Sequence, residues 1–223
     1  MKGHMNVDVR LNAIVDPERA NGRSLVDLTR LVVAGGATLI QLRDKHGATR
    51  AMIEVARAIK AALTGTGVPL VVNDRVDVAL VAGADGVHVG QEDMRAEDAR
   101  RLLGPNAIIG LSIKSVALAN AAPLDVLDYV GVGGVYATTS KDNPNPPIGV
   151  AGLADIVAAF RARKRDLPVC GIAGIDATNA APVIGAGADG VAVISALSMQ
   201  ADPQAAARAL RGIVDGAIKE RAR

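Results

Sequence analysis

Seven short clusters of chemically capable side chains each follow an apolar run in this sequence. They are Gln41-Leu42-Arg43-Asp44-Lys45, Asn73-Asp74-Arg75, His88 through Asp93, Ser112, Thr138-Thr139-Ser140-Lys141, Gly174, and Ile194-Ser195. Arg43, Lys45 and Lys141 are cations that suit a polyanionic ligand such as a diphosphate. Asp74 and Asp93 follow different runs, and two carboxylates with room for water and phosphate oxygens are a usual Mg²⁺ arrangement. Ser112, Thr138, Thr139 and Ser140 can donate hydroxyl hydrogens to phosphate oxygens. Gly174 and Ser195 fall where the commonest parallel barrel binds phosphate. Together they outline two anion sites, one of them assisted by a metal.

Taken singly, each residue has a plainer role. Asp74 could cap a helix, Asn73 could turn the chain, and Arg43-Asp44-Lys45 could be a solvated rim. His88 could be a satisfied structural histidine. Cys170 reads as a small core residue, and Met52, Met94 and Met199 as filler. The plainer roles leave unexplained why the clusters share one kind of position.

That position is set by the elements between them. Strands are expected at Leu11–Val15, Thr38–Arg43, Pro69–Asn73, Gly86–Val89, Ile108–Ser112, Tyr129–Gly133, Val169–Ile172 and Gly190–Ile194. Each is a short apolar run bounded by Gly, Pro or polar residues, as suits a strand buried on both faces. Helical patterning fills the gaps at Ser24–Ala34, Thr49–Leu63, Arg75–Val81, Ala96–Leu103, Ser115–Ala121, Val150–Arg163, Asn179–Gly185 and Pro203–Lys219. Eight strands alternating with eight helices predict an α/β chain folded as a single-domain (β/α)8 TIM barrel over residues 1–223. A doubly wound open sheet is the alternative. Residues 1–10 are expected to be a flexible lead-in. The long connection Val135–Gly149, polar and rich in proline, is expected to close over ligands. Gly83–Val89 (GADGVHV) returns as Gly187–Val193 (GADGVAV), either a common turn used twice or the trace of a half-barrel duplication.

Composition narrows the function. The 223 residues are 50% hydrophobic and 22% charged, with a formal net charge of +2. That balance gives no electrostatic reason to bind nucleic acid or an anionic membrane surface. Phe160, Tyr129 and Tyr136 are the only aromatics, so widespread stacking on bases is excluded. No apolar stretch approaches membrane-spanning length, and the N-terminus lacks an apolar signal region. The single cysteine excludes an intramolecular disulfide. A cytoplasmic protein acting on small molecules is expected; self-association is left open.

Taken together, the motifs resemble the thiamine phosphate synthase family. QLRDK, Val71–Met94 (VVNDRVDVALVAGADGVHVGQEDM), IIGLSIKS, DYVGVGGVYATTSK and GADGVAVISAL follow in that family's order over about Leu11 to Leu210. The resemblance implies a (β/α)8 barrel that joins a pyrimidine diphosphate to a thiazole phosphate, giving thiamine phosphate and pyrophosphate. It implies that Gln41 to Lys45 (Leu42 and Asp44 included), Asn73, Ser112 and Lys141 hold the pyrimidine diphosphate. His88 is counted among the substrate-binding residues. Asp74 and Asp93 would bind Mg²⁺, while Thr138, Thr139, Ser140, Gly174, Ile194 and Ser195 would hold the thiazole phosphate. Arg43, Lys45, Ser112 and Lys141 are expected to act on the reacting groups. The chain departs from the family pattern at four places. Asp44 replaces Glu, Ser140 replaces Thr, Ala173 replaces the first Gly of Gly-Gly-Ile, and Lys114 stands where His is common. Two rivals remain at this point, a thiazole tautomerase, which needs an acid/base group such as His88, and a non-catalytic phosphate-binding barrel.

Overall fold

The eight apolar runs pair side by side, all parallel, and the last pairs with the first. A computed structural model describes residues 7–140 and 146–223. The strands are β1 (Leu11–Val15), β2 (Leu39–Leu42), β3 (Leu70–Asn73), β4 (Gly86–Val89), β5 (Ile108–Ile113), β6 (Tyr129–Gly133), β7 (Val169–Ile172) and β8 (Gly190–Val193). They close in sequence order, which makes the chain a (β/α)8 barrel and excludes the open sheet. Between strands run α1 (Leu25–Ala34), α2 (Thr49–Ala62), α3 (Val76–Ala82), α4 (Ala96–Leu103), α5 (Val116–Ala121), α6 (Gly149–Arg163) and α7 (Ala180–Gly185). After β8 come a four-residue α8 (Ser195–Ser198) and the long α9 (Pro203–Arg221). Side chains of Ser24, Ser115 and Asp202 accept backbone N–H groups at the starts of α1, α5 and α9, as caps should. Residues 7–10 depart from the flexible lead-in expected for them. Val7 and Val9 are buried under the barrel, and Arg10 pairs with Asp8 and Asp215.

Alternation along each strand divides the apolar residues into two cores. Ile40, Leu42, Val72, Val87, Ile109, Val130 and Val132 face the helices. Ile14, Leu39, Val71, Ile108, Tyr129, Cys170 and Ala192 fill the barrel. Asn12 lies inside as well, buried with its side chain beside the Cys170 thiol. That burial pushes the Cys170 thiol up to about 12, so it is inert as a nucleophile.

A recurring clamp binds the strands in twos. Asp85, just before β4, accepts the Leu70 N–H of β3 at 2.8 Å and the Lys60 ammonium of α2 at 2.5 Å. Asp128, just before β6, does the same for Ile109 of β5 and Arg100 of α4. Asp189, just before β8, does it for Val169 of β7 and Arg161 of α6. Each aspartate also returns its own N–H to the carbonyl of the same residue. In the remaining quarter Thr38 replaces the aspartate. Its hydroxyl accepts the Leu11 N–H at 3.0 Å, and Arg211 of α9 reaches the Gly36 carbonyl. The two GADGV echoes therefore supply the carboxylates Asp85 and Asp189, and the same task is done at Asp128 without the echo.

Candidate active site

Because every strand runs the same way, the polar clusters that follow them gather on one rim. Arg43, just past β2, is ion-paired with Asp16, which follows β1 and is almost fully buried. Asp16 also caps the short 3-10 turn behind it by accepting the Glu18 N–H at 2.9 Å. Lys45 pairs with Asp74, the residue after β3. Asp74 sits in the left-handed region at φ 63°, unusual for a non-glycine residue and common where function dictates the backbone. Burial raises its carboxyl above the ordinary value; Lys45 opposes that rise, and the adjacent Asp93 carboxylate adds to it. Asp93 accepts the Gly90 N–H at 2.7 Å. Two neighbouring, half-buried carboxylates facing one lysine form a hard-oxygen set with excess negative charge, and a divalent cation fits it. No group of three His, Cys, Asp or Glu side chains forms among the described residues, so further ligands would come from water and phosphate.

On the far side of the rim a cavity of about 570 Å³ lies between the ends of β6, β7 and β8. Thr138, Thr139, Ser140, Gly174, Ile194 and Ser195 line it. The Ser140 and Ser195 hydroxyls meet at 2.9 Å, and Thr138 turns the loop by accepting the Ser140 N–H. Gly174 has φ 65°, and a Cβ there would come within 2.3 Å of the Ala137 carbonyl oxygen, so glycine is required. Its neighbour Ala173 sits at φ 82°, a backbone that favours glycine. Ala173→Gly is therefore expected to raise stability by about 1 kcal/mol, read from urea unfolding. A loss of stability in that variant would show that the alanine is unstrained.

Inside the barrel, His88 of β4 bridges Tyr129 of β6 and Ser112 of β5. Its Nδ1 lies 2.9 Å from the Tyr129 hydroxyl and its Nε2 lies 2.9 Å from the Ser112 Oγ. Asn73, at the end of β3, is in register with His88. Gln41 of β2 is buried inside the barrel as well.

Most of the residues singled out from the sequence thus come together at the rim, and two place their side chains elsewhere. Leu42 follows Gln41 by one residue, so its side chain points to the opposite face and packs against the helices. Asp44 turns inward on its own loop, accepting the N–H groups of His46 and Gly47 at 3.1 and 2.7 Å; it shapes the loop between Arg43 and Lys45. Lys141 lies outside the described residues, as do four further residues of the connection expected to close over ligands. Sequence reasoning passed over Asp16, although it too directly follows a strand. It also passed over Arg19, which reaches the Thr139 carbonyl, and Gln91, which donates to the Ser112 carbonyl at 2.7 Å. Larger hollows open at the opposite end of the barrel, one of about 1040 Å³ around Arg10, Arg161 and Asp189. The charges there are spent on one another and on the clamps, which marks that end as structural.

Fold and rim define a closed (β/α)8 barrel with its charged and hydroxyl side chains gathered at the ends of the strands. Comparison with known proteins gives the particular family. The sequence profile of thiamine monophosphate synthase matches residues 11–197. Thiamine-phosphate synthase of Agrobacterium fabrum is 52% identical over 215 residues, covering 96% of this chain and 98% of that protein. The Moorella thermoacetica enzyme of the same name is 47% identical over 204 residues, covering 92% and 95%. Among solved structures, thiamine phosphate pyrophosphorylase from Pyrococcus furiosus superposes with a TM-score of 0.83 at 37% identity, over 96% and 98% of the two chains. The chain belongs to the thiamine monophosphate synthase family.

Proposed function

We infer that the chain is a thiamine phosphate synthase, a transferase that joins a pyrimidine diphosphate to a thiazole phosphate with release of pyrophosphate. The observation that carries this reading is the division of the rim. A cationic and carboxylate half, Arg43, Lys45, Asp74 and Asp93, faces a hydroxyl-lined cavity at Ser140 and Ser195.

In this reading the reaction breaks the C–O bond between the pyrimidine methylene and the diphosphate, and the thiazole nitrogen supplies the pair for the new C–N bond. The aminopyrimidine ring delocalises the developing cation, and the nitrogen already carries its lone pair, so no general base is needed. Arg43, Lys45 and Lys141 offset the charge that collects on the departing diphosphate. Asp74 and Asp93 would hold Mg²⁺, which supplies further neutralisation of that leaving group. Thr138, Ser140, Gly174 and Ser195 anchor the thiazole phosphate and so aim its nitrogen at the methylene carbon. Gln41 and Asn73 line the side of the site where the pyrimidine would lie, and Ser112 stands beside its diphosphate.

The tautomerase rival needs a proton-transfer group at the mouth. His88 is buried between Tyr129 and Ser112, with both ring nitrogens engaged, which counts against that role. No helix among the described residues is long and apolar enough to cross a membrane. That agrees with the small-molecule chemistry proposed, for which we expect a cytoplasmic setting. The test is an assay that follows pyrophosphate and thiamine phosphate together. Equimolar appearance only when both substrates are present supports the synthase. Isomerisation of a thiazole phosphate alone, or binding without turnover, would replace it with one of the rivals.

A further inference from the structure

The barrel interior carries a polar run that no step above uses. Tyr129 is wholly buried, and His88 nearly so. Two strands give up side chains to admit these rings. A Cβ on Gly110 would stand 2.3 Å from Tyr129 Cζ and 2.6 Å from His88 Nδ1, and one on Gly131 would stand 3.1 Å from His88 Cε1. Such space is costly in a packed core, so the rings' placement is a built feature.

The direction of hydrogen bonding along the run follows from its buried end. Burial holds the Tyr129 phenol well above its ordinary value, so it keeps its proton. A buried O–H needs an acceptor, and His88 Nδ1 lies within hydrogen-bonding distance of it. The phenol therefore donates its O–H to His88 Nδ1, 2.9 Å away. An imidazole that accepts at Nδ1 carries its hydrogen on Nε2 and donates it to Ser112 Oγ, also at 2.9 Å. Ser112 is left with its O–H directed at the rim. With the reverse order Ser112 would donate inward and show only lone pairs to the site, which would repel a phosphate oxygen.

We propose that Tyr129 is a positioning residue. Through His88 it fixes the direction in which Ser112 donates, so that the site offers a hydroxyl hydrogen to the departing diphosphate. This rests on the synthase reading, because that reading places the diphosphate beside Ser112.

The chain has three histidines, so ¹⁵N-labelled imidazole resonances can be assigned with a His88→Gln variant. The wild-type protein is expected to show His88 as the neutral Nε2–H tautomer, and Tyr129→Phe is expected to lose that single form. A wild-type Nδ1–H tautomer, or a tautomer unchanged in Tyr129→Phe, overturns the proposal. This measurement needs no turnover, so it stands apart from failure of the synthase reading. In kinetics, Tyr129→Phe keeps the ring and should lower kcat about tenfold while KM for the thiazole phosphate is unchanged, the loss of one hydrogen bond's direction. In a Ser112→Ala background the same change should cost nothing further. An equal loss in both backgrounds shows that Tyr129 acts elsewhere, and overturns it.

Discussion

Asp93→Asn is expected to lower turnover by about 10²- to 10³-fold, the scale on which removal of one preorganised electrostatic group acts. The substitution is chosen because it separates charge from shape. Asparagine keeps an oxygen that can accept the Gly90 N–H, so the turn after β4 should survive. It removes one of the two adjacent negative charges that make a divalent cation welcome beside Asp74. The hydroxyl-lined cavity proposed for the thiazole phosphate lies across the rim at β7 and β8, so the KM for that substrate should change little. Mn²⁺ titration gives a readout independent of catalysis, and the variant should bind the ion more weakly. Normal turnover in excess chelator, or unaltered Mn²⁺ binding in Asp93→Asn, would remove the metal from the mechanism.

Asp128→Ala should be the most destabilising change among the clamps, at about 3–5 kcal/mol by urea unfolding, because it leaves a buried guanidinium without its counter-charge. The side chains of Asp128 and Arg100 are only 6% and 10% exposed. The loss would also strip the Ile109 N–H of its carboxylate acceptor. Asp85 and Asp189 do the same job with side chains 26% and 33% exposed, so water can replace much of what they provide. Their alanine variants should cost roughly 1–2 kcal/mol each. Three equal losses would show that burial does not govern the clamp. Since whole domains are stable by about 5–15 kcal/mol, the Asp128 variant is also the one expected to express poorly.

Much of this architecture was legible in the sequence because parallel barrel strands are buried on both faces and read as plain apolar runs. Four strands begin and end at the residues expected, and the others differ by one residue at one or both ends. The helix starts at Ser24 and Ser115 became caps, since serine favours the position just outside the helix. The short helix after Ser195 was visible only as an Ala-Leu segment. The rim was legible because strand direction alone puts the polar clusters together. What failed was finer than that rule. Reading Gln41 to Lys45 as one block ignored that adjacent strand residues face opposite ways, which removes Leu42. Asp44 has a nearer claim from its own loop N–H groups. Tyr129 opens its strand at the end away from the site, and no local pattern says that it will span the barrel to meet His88. Asp16 obeyed the strand-end rule and was simply one strand earlier than the clusters examined.

The clamps also divide the chain in time as it leaves the ribosome. Lys60 and Asp85 are 25 residues apart, and Arg100–Asp128 and Arg161–Asp189 are each 28 apart. Each of these three contacts can therefore close within a short emerged segment, where the entropy of loop closure is small. The fourth quarter is different, for Arg211 must travel back across 175 residues to reach Gly36. Nascent β1 and β2 can meet early through Thr38 and Leu11, 27 residues apart, but the cationic part of their clamp waits for the last helix. The seam between β1 and β8 closes once β8 has emerged, and α9 follows it. A chain stopped before β8 would expose the unpaired edge of β1, and with it a surface that cellular chaperones recognise.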